Sequence, residues 1–263
     1  MATQEGTTSA DGQHRTPDST FDCVATSIAV IWSRLPSHRS VGRTADAAWG
    51  AVGPHEPRAN VGAARTDEGL AQAISRLGDA SAAHGVQVHT AAGAGATDGA
   101  AVPLLAGYEM VETMQGMVHR DIASVPPPSR EHRTVGGTEY GAFCSAAYGL
   151  GAGERAPLPA DLGPLGAYLL VEERGTPVSC AATVAVGSTC FVFGVATPRE
   201  LRCEGRGRDA TAAALHGSFV HGCRTAVLQS TAAGLALYSQ MGFEAVDAWE
   251  WWITGPRTGR TTV

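Results

Sequence analysis

The sequence predicts an α/β protein with a mixed β-sheet, arranged as two lobes. Between residues 167 and 196, short runs rich in β-branched residues alternate with Gly or Pro turns, a pattern typical of antiparallel strands. A strand, a glycine turn and a helix then follow one another from Cys190 to His221, and a further strand after them indicates a parallel crossover. Consecutive prolines at Pro126–Pro128 divide the chain into halves of similar length.

The composition limits the functional classes. The chain has 263 residues, of which 44% are hydrophobic, and this is enough for a sizeable core. Its formal charge of −6, from 19 basic and 25 acidic residues, argues against a nucleic-acid partner and mildly favours an amine-bearing one. No apolar run approaches the length of a membrane span, and Met1–Asp18 lacks the apolar stretch of a secretory signal. We therefore expect a soluble, cytoplasmic protein without a membrane partner.

Five segments are expected along the chain. The first 19 residues are polar and contain little that could pack, so structure is expected to begin near Phe21. Consecutive prolines favour an extended spacer between two lobes. The expected segments are a disordered tail at 1–19, a degenerate first lobe at 20–125, a Pro-rich linker at 126–131, a second lobe at 132–254 and a flexible tail at 255–263.

The second lobe is predicted to contain a hairpin followed by a strand–helix–strand crossover. Two β-rich runs, Ala167–Val171 and Val178–Val186, flank a Glu-Arg-Gly-Thr-Pro turn and predict the hairpin. Thr211, Leu215 and Phe219 recur every fourth residue, as one face of the crossover helix would require. The other predicted elements are strands at His132–Thr134, Cys190–Ala196 and Thr225–Gln229, helices near Thr138–Tyr148, Leu158–Leu165 and Ala232–Met241, and a final strand carrying Trp249, Trp251 and Trp252.

A weak internal echo suggests that the two lobes are duplicates. Thr90–Gly93 resembles Thr231–Gly234, and Gly107–Glu109 resembles Gly242–Glu244. However, the first lobe has no Arg-x-x-Gly-x-Gly turn before its helix-like stretch Glu68–Leu77. If the lobes are duplicates, we expect only the second lobe to carry an anion site.

The turn Arg202–Gly207, between a strand and a helix, is a candidate phosphate site. Gly205 and Gly207 permit a tight bend and let backbone N–H groups close on an anion at the positive end of the helix. Arg208 adds a positive charge nearby. Two glycines are also compatible with a purely structural turn, and Glu204 brings an unfavourable negative charge.

This turn, the helix and strand after it, and a closing Tyr-x-x-x-Gly-Phe resemble, in that order, the two core motifs of the GNAT superfamily of acetyl-CoA-dependent N-acetyltransferases. Arg202, Gly205 and Gly207 fall on the family's [Q/R]-x-x-G-x-[G/A] pattern, and Tyr238 falls on the tyrosine of its Y-x-x-x-G-F ending. The resemblance covers roughly residues 167–253. The segment Val195–Pro198, together with Ala226–Ser230, resembles a bacterial subgroup with a degenerate first GNAT-like lobe. The resemblance therefore implies a GNAT-like fold in a tandem arrangement, with a degenerate N-terminal half.

The resemblance further implies that the second lobe binds acetyl-CoA. In the family, the pantetheine arm lies in a V-shaped gap between the fourth and fifth strands, and the fourth strand corresponds here to the one containing Phe193–Ala196. The N–H near Val195 would stabilise the acetyl oxygen as charge develops on it. The implied cofactor-binding residues are Phe193, Val195, Ala196, Arg202, Cys203, Glu204, Gly205, Arg206, Gly207 and Arg208.

The resemblance assigns one catalytic residue, Tyr238, which corresponds to the residue that protonates the departing thiolate. The sequence does not nominate a base. Glu139, Glu172 and Glu173 are candidates by location, and the alternatives are proton loss through water or capture of an already neutral amine. The nine histidines are dispersed and the six cysteines form no C-x-x-C pair, so we expect no metal.

Together these features predict direct acetyl transfer from acetyl-CoA to a primary amine. A small molecule is the expected acceptor, and a protein N-terminus or lysine is the other class. The rival interpretation is a catalytically silent acyl-CoA-binding or ligand-sensing module, because no base is evident and Glu204 lies in the anion turn. The oligomeric state is not indicated by the sequence.

Overall fold

The computed structural model describes residues 20–53, 59–91, 101–151 and 158–254. The tails predicted at 1–19 and 255–263 lie outside these ranges, as does the end of the Thr90–Gly93 echo. The helices are α1 (Phe21–Ser33), α2 (Asp67–Ala80), α3 (Ala101–Leu104), α4 (Gly137–Ala147), α5 (Arg206–Val220) and α6 (Leu235–Gln240). The strands are β1 (Ser40–Arg43), β2 (Ala47–Ala51), β3 (Val61–Ala64), β4 (Gly85–Ala91), β5 (Glu109–His119), β6 (Glu131–Val135), β7 (Gly166–Glu173), β8 (Thr176–Val186), β9 (Thr189–Ala196), β10 (Thr225–Ser230) and β11 (Glu244–Ile253).

All of these strands belong to one sheet. Their order across the sheet is β1-β2-β3-β4-β11-β5-β10-β9-β8-β7-β6. Neighbouring strands are antiparallel except for β3 with β4 and β9 with β10, which are parallel and are joined by the crossover helices α2 and α5. The predicted α/β class with a mixed sheet is therefore confirmed, as is the parallel crossover in the second lobe.

The strand order is nearly the same when read from either edge. Each half contributes an antiparallel run and a parallel pair, and the final strands of the halves, β5 and β11, are antiparallel neighbours at the centre. These two strands are exchanged, because β11 pairs with β4 of the first half and β5 pairs with β10 of the second. The tandem arrangement is thus visible in the topology. The limits of the lobes stay a prediction, since both lobes share this sheet.

The central strands repeat each other in detail. Gly107 and Gly242, with φ of +88° and +91°, stand two residues before β5 and β11. Each strand also carries a bulge, since Val111 and Val246 have no register partner on the facing strand. The echo seen in the sequence therefore extends to a repeated Gly-Tyr/Phe-Glu-x-Val-Glu/Asp segment with the same backbone path.

Helices cover both faces of the sheet. Phe21 of α1 and Tyr140 of α4 share one buried cluster with Trp249 of β11. On the opposite face, Leu215 of α5 and Tyr238 of α6 share a cluster, and α2 packs over the strands of the first half. Within the described ranges, no helix has both the length and the apolar character needed to span a membrane.

The helix that carries Thr211, Leu215 and Phe219 is confirmed as α5, in which Phe219 is 37% exposed near the helix end, with the Arg224 guanidinium 4.5 Å from its ring centroid. Two details of the other predicted helices are wrong. The helix predicted from Ala232 begins at Leu235, after a turn that closes at Gly234. Of the helix expected near Leu158–Leu165, the structure has a single 3-10 turn at its end, because two prolines remove backbone donors there.

A buried carboxylate ties the beginning of α1 to the centre of the sheet. Asp247 Oδ2 accepts a hydrogen bond from the Thr20 N–H at 2.8 Å, and Oδ1 accepts from Thr20 Oγ1 at 3.0 Å and from Trp249 Nε1 at 3.1 Å. His89 Nε2 lies 3.1 Å from Oδ2. Gly116 on β5 leaves the space for this group, because a Cβ there would lie 1.7 Å from Oδ1. Burial alone would raise the pKa of Asp247, but the contacts with His89 and Thr20 outweigh it and hold that pKa below its ordinary value.

Replacing Asp247 by Asn is expected to lower the free energy of unfolding by about 2–4 kcal/mol near neutral pH, because it weakens several buried, charge-assisted hydrogen bonds. Folding lowers the pKa of Asp247, so its contribution is complete above the ordinary value of 3.8 and is lost as the pH falls through the folded-state value. Urea unfolding at pH values from neutral to below 3.8 measures the effect. The difference in the free energy of unfolding between wild type and variant should become smaller in acid.

Glu244→Gln is the control for this experiment. Glu244 lies on the same strand, and its side chain is 69% exposed beside Arg120. Its loss is expected to change the free energy of unfolding by less than about 0.5 kcal/mol. Equal effects of the two substitutions at neutral pH would contradict the role given to Asp247.

Candidate active site

The parallel strands β9 and β10 separate at their carboxyl ends. Their register runs from Thr189 opposite Thr225 to Val192 opposite Leu228 and stops there. Among the described residues, the last four of β9, Phe193–Ala196, have no register partner on β10. The result is a V-shaped gap whose wall on one side is the backbone of Phe193–Ala196, the segment predicted to hold the pantetheine arm.

A bulge shapes the other edge of this wall. Cys180 on β8 lies opposite Ala196, and Ala182 lies opposite Phe193, so that Gly194 and the residue after it share a single residue of β8. Gly194 has a φ of +57°, a conformation that favours glycine. A bulge of this kind turns backbone groups out of the ladder. It therefore presents the peptide groups around the predicted acetyl site.

Side chains of α4 hold the carbonyl groups of the bulge. The Tyr140 hydroxyl donates to the Gly194 carbonyl at 2.8 Å, and the Tyr148 hydroxyl, just after α4, donates to the Val195 carbonyl at 3.0 Å. The thiols of Cys144 and Cys180 lie 3.6 and 3.5 Å from the Gly194 oxygen. These contacts fix the orientation of both peptide groups, and they orient the neighbouring N–H groups as well.

The N-terminus of α5 follows directly after the gap. Gly205 is its N-cap with a φ of +81°, and Cys203 has a φ of +64°. The Asp209 N–H donates to the Gly205 carbonyl at 3.0 Å, so the N–H groups of Arg206, Gly207 and Arg208 precede the first helical hydrogen bond. Such groups, at the positive end of a helix dipole, suit an anion.

An ion-pair network anchors this turn to the sheet. Arg206 contacts both oxygens of Glu173 on β7 at 2.9 Å, and Arg130 contacts Glu173 and Asp209 at 2.6 Å each. Hydrogen bonds from Arg206 and then from Arg130 lower the pKa of Glu173 to about 2. The side chain of Arg206 is buried and committed to this network, so its predicted role toward a diphosphate rests on its backbone N–H.

The remaining side chains of the turn face solvent. Four exposed side chains lie around the N-terminus of α5, those of Arg202, Cys203, Glu204 and Arg208. The Arg202 Nε donates to the Thr197 carbonyl at 3.0 Å, and Glu204 Oε2 lies 3.1 Å from Arg206 Nη1. The negative charge of Glu204 is therefore partly offset by a paired arginine, although its side chain is still 60% exposed.

The first lobe has a different structure at the equivalent position. Only Arg65 and Thr66 separate β3 from α2, in contrast to the long turn before α5. The Thr66 side chain caps α2 by accepting from the Gly69 N–H at 3.1 Å, and Arg65 pairs with Asp46 at 2.9 Å. The Thr66 side chain thus occupies the α2 N-terminus, whereas no side chain in the described part of the chain caps the N-terminus of α5.

Tyr238 lies on α6, beyond the end of β10. Its ring is buried and packs edge-on against Phe243, with the ring centroids 5.9 Å apart. Burial raises the pKa of Tyr238, which keeps the phenol protonated. Within the part of the chain that the structure describes, no side chain or backbone group hydrogen-bonds to the Tyr238 hydroxyl. A buried, protonated phenol is suited to donate a proton.

The three carboxylates considered as bases are all paired with arginines. Glu139 and Glu172 bind Arg133 of the edge strand β6 at 2.5 and 2.7 Å. Glu173 belongs to the ion-pair network that holds the turn before α5. None of these contacts brings a carboxylate to the gap. Across the described residues, no group of three or more His, Cys, Asp or Glu side chains is placed to hold a metal ion.

Sequence reasoning did not identify Tyr140, Cys144 and Tyr148 as part of the site. They lie about 50 residues before the gap in the sequence, and only the packing of α4 over β9 brings them to Gly194. A signal was nevertheless present, because the three residues are four apart on a predicted helix and so share one face.

Several solved structures that are similar to this one are named as acetyltransferases of the GNAT type. A GCN5-related N-acetyltransferase from Kribbella flavida aligns with 91% of this chain and 96% of its own, at 16% identity and a TM-score of 0.61. A putative acetyltransferase from the GNAT family of Novosphingobium aromaticivorans aligns over 83% and 92%, at 16% identity and a TM-score of 0.55. A tandem GNAT protein from the clavulanic acid biosynthesis pathway aligns over 84% and 85%, at 16% identity and a TM-score of 0.50.

These similarities define the fold of the protein. No protein-family model matches the sequence, and no curated protein is similar to it. The structural alignments cover nearly the whole chain of the Kribbella enzyme as well as most of a tandem protein. The chain therefore has the GNAT fold in its tandem arrangement, as the turn at Arg202–Gly207 and the segment from Tyr238 predicted.

Gly194→Ala is expected to lower the free energy of unfolding by about 2–4 kcal/mol and to weaken acetyl-CoA binding. The added Cβ would stand 2.0 Å from the Tyr140 hydroxyl oxygen, in addition to the backbone strain of a positive φ. Gly187→Ala is the matched control, because its φ is +62° and nothing lies within 4 Å of the new Cβ. It should lower the free energy of unfolding by about 1 kcal/mol. Equal losses in urea unfolding would show that the close contact at Gly194 is unimportant.

Glu204→Gln is expected to tighten acetyl-CoA binding about two- to fivefold, because it removes a negative charge beside an anion site. Calorimetry at low and high salt measures the effect, which should be smaller at high salt. Glu68→Gln is the control, since Glu68 is an exposed acid in the first turn of α2, the equivalent helix of the first lobe. Binding that weakens in Glu204→Gln would mean that Glu204 supports the turn rather than opposes the ligand.

Proposed function

We propose that the protein is an acetyl-CoA-dependent N-acetyltransferase that acetylates a primary amine of a small molecule at its second lobe. The observation that supports this most strongly is the gap between β9 and β10, with the N-terminus of α5 at its end. The gap offers backbone groups to an extended amide chain, and the helix N-terminus offers N–H groups to a diphosphate. Both features occur in the second lobe, in the order that the GNAT motifs require.

The proposed donor site uses the residues that the sequence nominated. Phe193, Val195 and Ala196 line the gap, and the backbone of Arg202–Gly207 with Arg208 surrounds the anion position. Coenzyme A supplies an activated thioester when bound. The N–H group near Val195 would then face the acetyl oxygen and stabilise the negative charge that develops as an amine attacks. The bonds from Tyr140 and Tyr148 hold the neighbouring peptide groups still during this step.

Tyr238 is proposed as the acid that protonates the thiolate. Its raised pKa keeps the proton on the phenol, so that a proton is available as the C–S bond breaks. Alignment of the amine with the thioester would supply much of the rate, because it replaces an encounter in solution by a fixed geometry. The net charge of −6 is favourable to a cationic acceptor, which is the form of most primary amines near neutral pH.

Tyr238→Phe is expected to lower kcat by about 10²-fold while acetyl-CoA binding stays unchanged, because only the proton donor is removed. Free-thiol release with acetyl-CoA and an amine panel measures kcat, and calorimetry measures binding. A suitable panel is putrescine, 2-phenylethylamine, glucosamine and a lysine-containing peptide. Tyr168→Phe is the matched control, since Tyr168 is another buried tyrosine of the second lobe whose hydroxyl has no hydrogen-bond partner among the described residues.

The same assay separates the rival function. Acetyl-CoA binding without amine-dependent thiol release would favour a silent acyl-CoA-binding module, and the absence of binding would exclude both functions. Release with the peptide alone would move the acceptor class from small molecules to proteins. Undiminished turnover of folded Tyr238→Phe at every pH would remove the acid role from Tyr238.

A further inference from the structure

Two carboxylates occupy equivalent positions in the two halves of the sheet. Glu112 follows the bulge of β5, and Asp247 follows the bulge of β11. Their cross-strand neighbours also occupy equivalent positions in the two strands. Glu112 lies opposite Trp251, and Asp247 lies opposite Gly116. A bulge re-aims the side chain beside it. Here it places one acid next to the end of the parallel strand pair of each lobe.

The two carboxylates differ in their partners. Asp247 is buried and held by Thr20, Trp249 and the nearby His89, so it is a structural group. Glu112 is half-buried, and no residue in the described ranges hydrogen-bonds or ion-pairs with its carboxylate. Burial raises the pKa of Glu112 above its ordinary value. An unpaired carboxylate of this kind is unusual in a structural position and is suited to accept a proton.

The topology brings Glu112 to the gap of the second lobe. Strand β10 ends at Ser230, opposite Gln115 on β5, so β5 continues past it to Glu112 beside the open gap. Met114, two residues further along and on the same face, packs in the cluster that contains Tyr140 of α4. Glu112 therefore lies on the α4 face of the sheet, whereas α5 and its anion turn pack on the opposite face.

The surroundings of Tyr148 support the placement of Glu112 near the gap. Tyr148 binds the carbonyl of Val195 in the gap wall. The pKa of Tyr148 is raised by burial and then by charges on groups around it, which include Tyr238 and Glu112. Tyr148 is thus close enough to Glu112 for the two groups to interact electrostatically, and because Tyr148 also contacts the gap wall, Glu112 lies near the gap.

We propose that Glu112, a residue of the first lobe, is the catalytic base of the second lobe and removes a proton from the acceptor ammonium group. The proposal rests on the acetyltransferase function proposed above. The carboxylate takes one proton from R–NH3⁺, and the nitrogen lone pair then forms a C–N bond to the acetyl carbon. The C–S bond breaks with its electron pair on sulfur, which takes a proton from Tyr238. The amide nitrogen gives its surplus proton to the Tyr238 phenolate, and Glu112 releases its proton to solvent, so the balance is one amide, one thiol and one proton released.

The titratable side chains near Glu112 are mainly those of tyrosine and cysteine. From the end of α4 the neighbouring titratable group is Tyr148, which Tyr238 of α6 also influences electrostatically. From β11 the cross-strand neighbour is Trp251, and the next acid on that face, Asp247, is engaged elsewhere. The remaining ionisable groups around Tyr148 are Cys144, Cys180 and Tyr140.

The test compares pH profiles of kcat/KM for wild type, Glu112→Gln and Glu112→Asp, with the amine of the panel that gives the fastest thiol release. Glu112→Gln is expected to lose about 10²-fold or more near pH 7. It should regain about tenfold for each pH unit up to the pKa of the free amine, because only the neutral amine can then react. Glu112→Asp should keep an intermediate rate and the wild-type shape of the profile. Glu109→Gln, an exposed acid on the same strand, is the matched control and should follow wild type.

Calorimetry with acetyl-CoA and urea unfolding accompany these profiles and should be unchanged in Glu112→Gln. A Glu112→Gln profile that matches wild type in rate and shape would overturn the assignment while the acetyltransferase function stands. A loss of rate that comes with weaker acetyl-CoA binding or lower stability, and with an unaltered profile, would also overturn it. Absence of thiol release from wild type with every amine would overturn the function together with the base.

Discussion

The antiparallel pairing of β5 with β11 is the constraint on which the rest of the structure depends. Each of these strands is part of one half in the sequence but pairs, on its outer side, with a strand of the other half. The two halves therefore cannot form their sheets independently. The cluster around Asp247 reinforces this centre, since it joins the start of α1 to β11 through a carboxylate that Gly116 of β5 leaves room for. The packing of both helical layers follows from the position of these two strands.

The separation of β9 from β10 has its own cause within the second lobe. Parallel strands of a crossover normally stay paired, but here β9 carries the Gly194 bulge and is held from α4 by Tyr140 and Tyr148. At the same end, Arg130 and Arg206 clamp the turn of α5 to Glu173 on β7. A rigid wall and a rigid anion turn are thus produced by different parts of the same lobe, and both are anchored away from the ligand itself.

Much of the second lobe could be predicted from the sequence because its signals are local. The glycines of Arg202–Gly207, the four-residue spacing on α5 and the alternating runs of β7–β9 each depend on neighbours within one element. The exchange of β5 and β11 could not be predicted, since nothing within Glu109–His119 indicates which strands flank it. For the same reason the sequence does not point to Glu112 as a base, and it favours carboxylates that are closer to the gap in the sequence.

The exchange of β5 also determines whether the second lobe, separated from the first, would have an exposed sheet edge. If the chain were divided at Pro126–Pro128, β10 would lose its neighbour β5 and would present a row of unpaired N–H and C=O groups along one edge. Such an edge is a template for any strand that reaches it, including one from another copy. In this protein the degenerate half therefore covers that edge through β5, in addition to any other role it has.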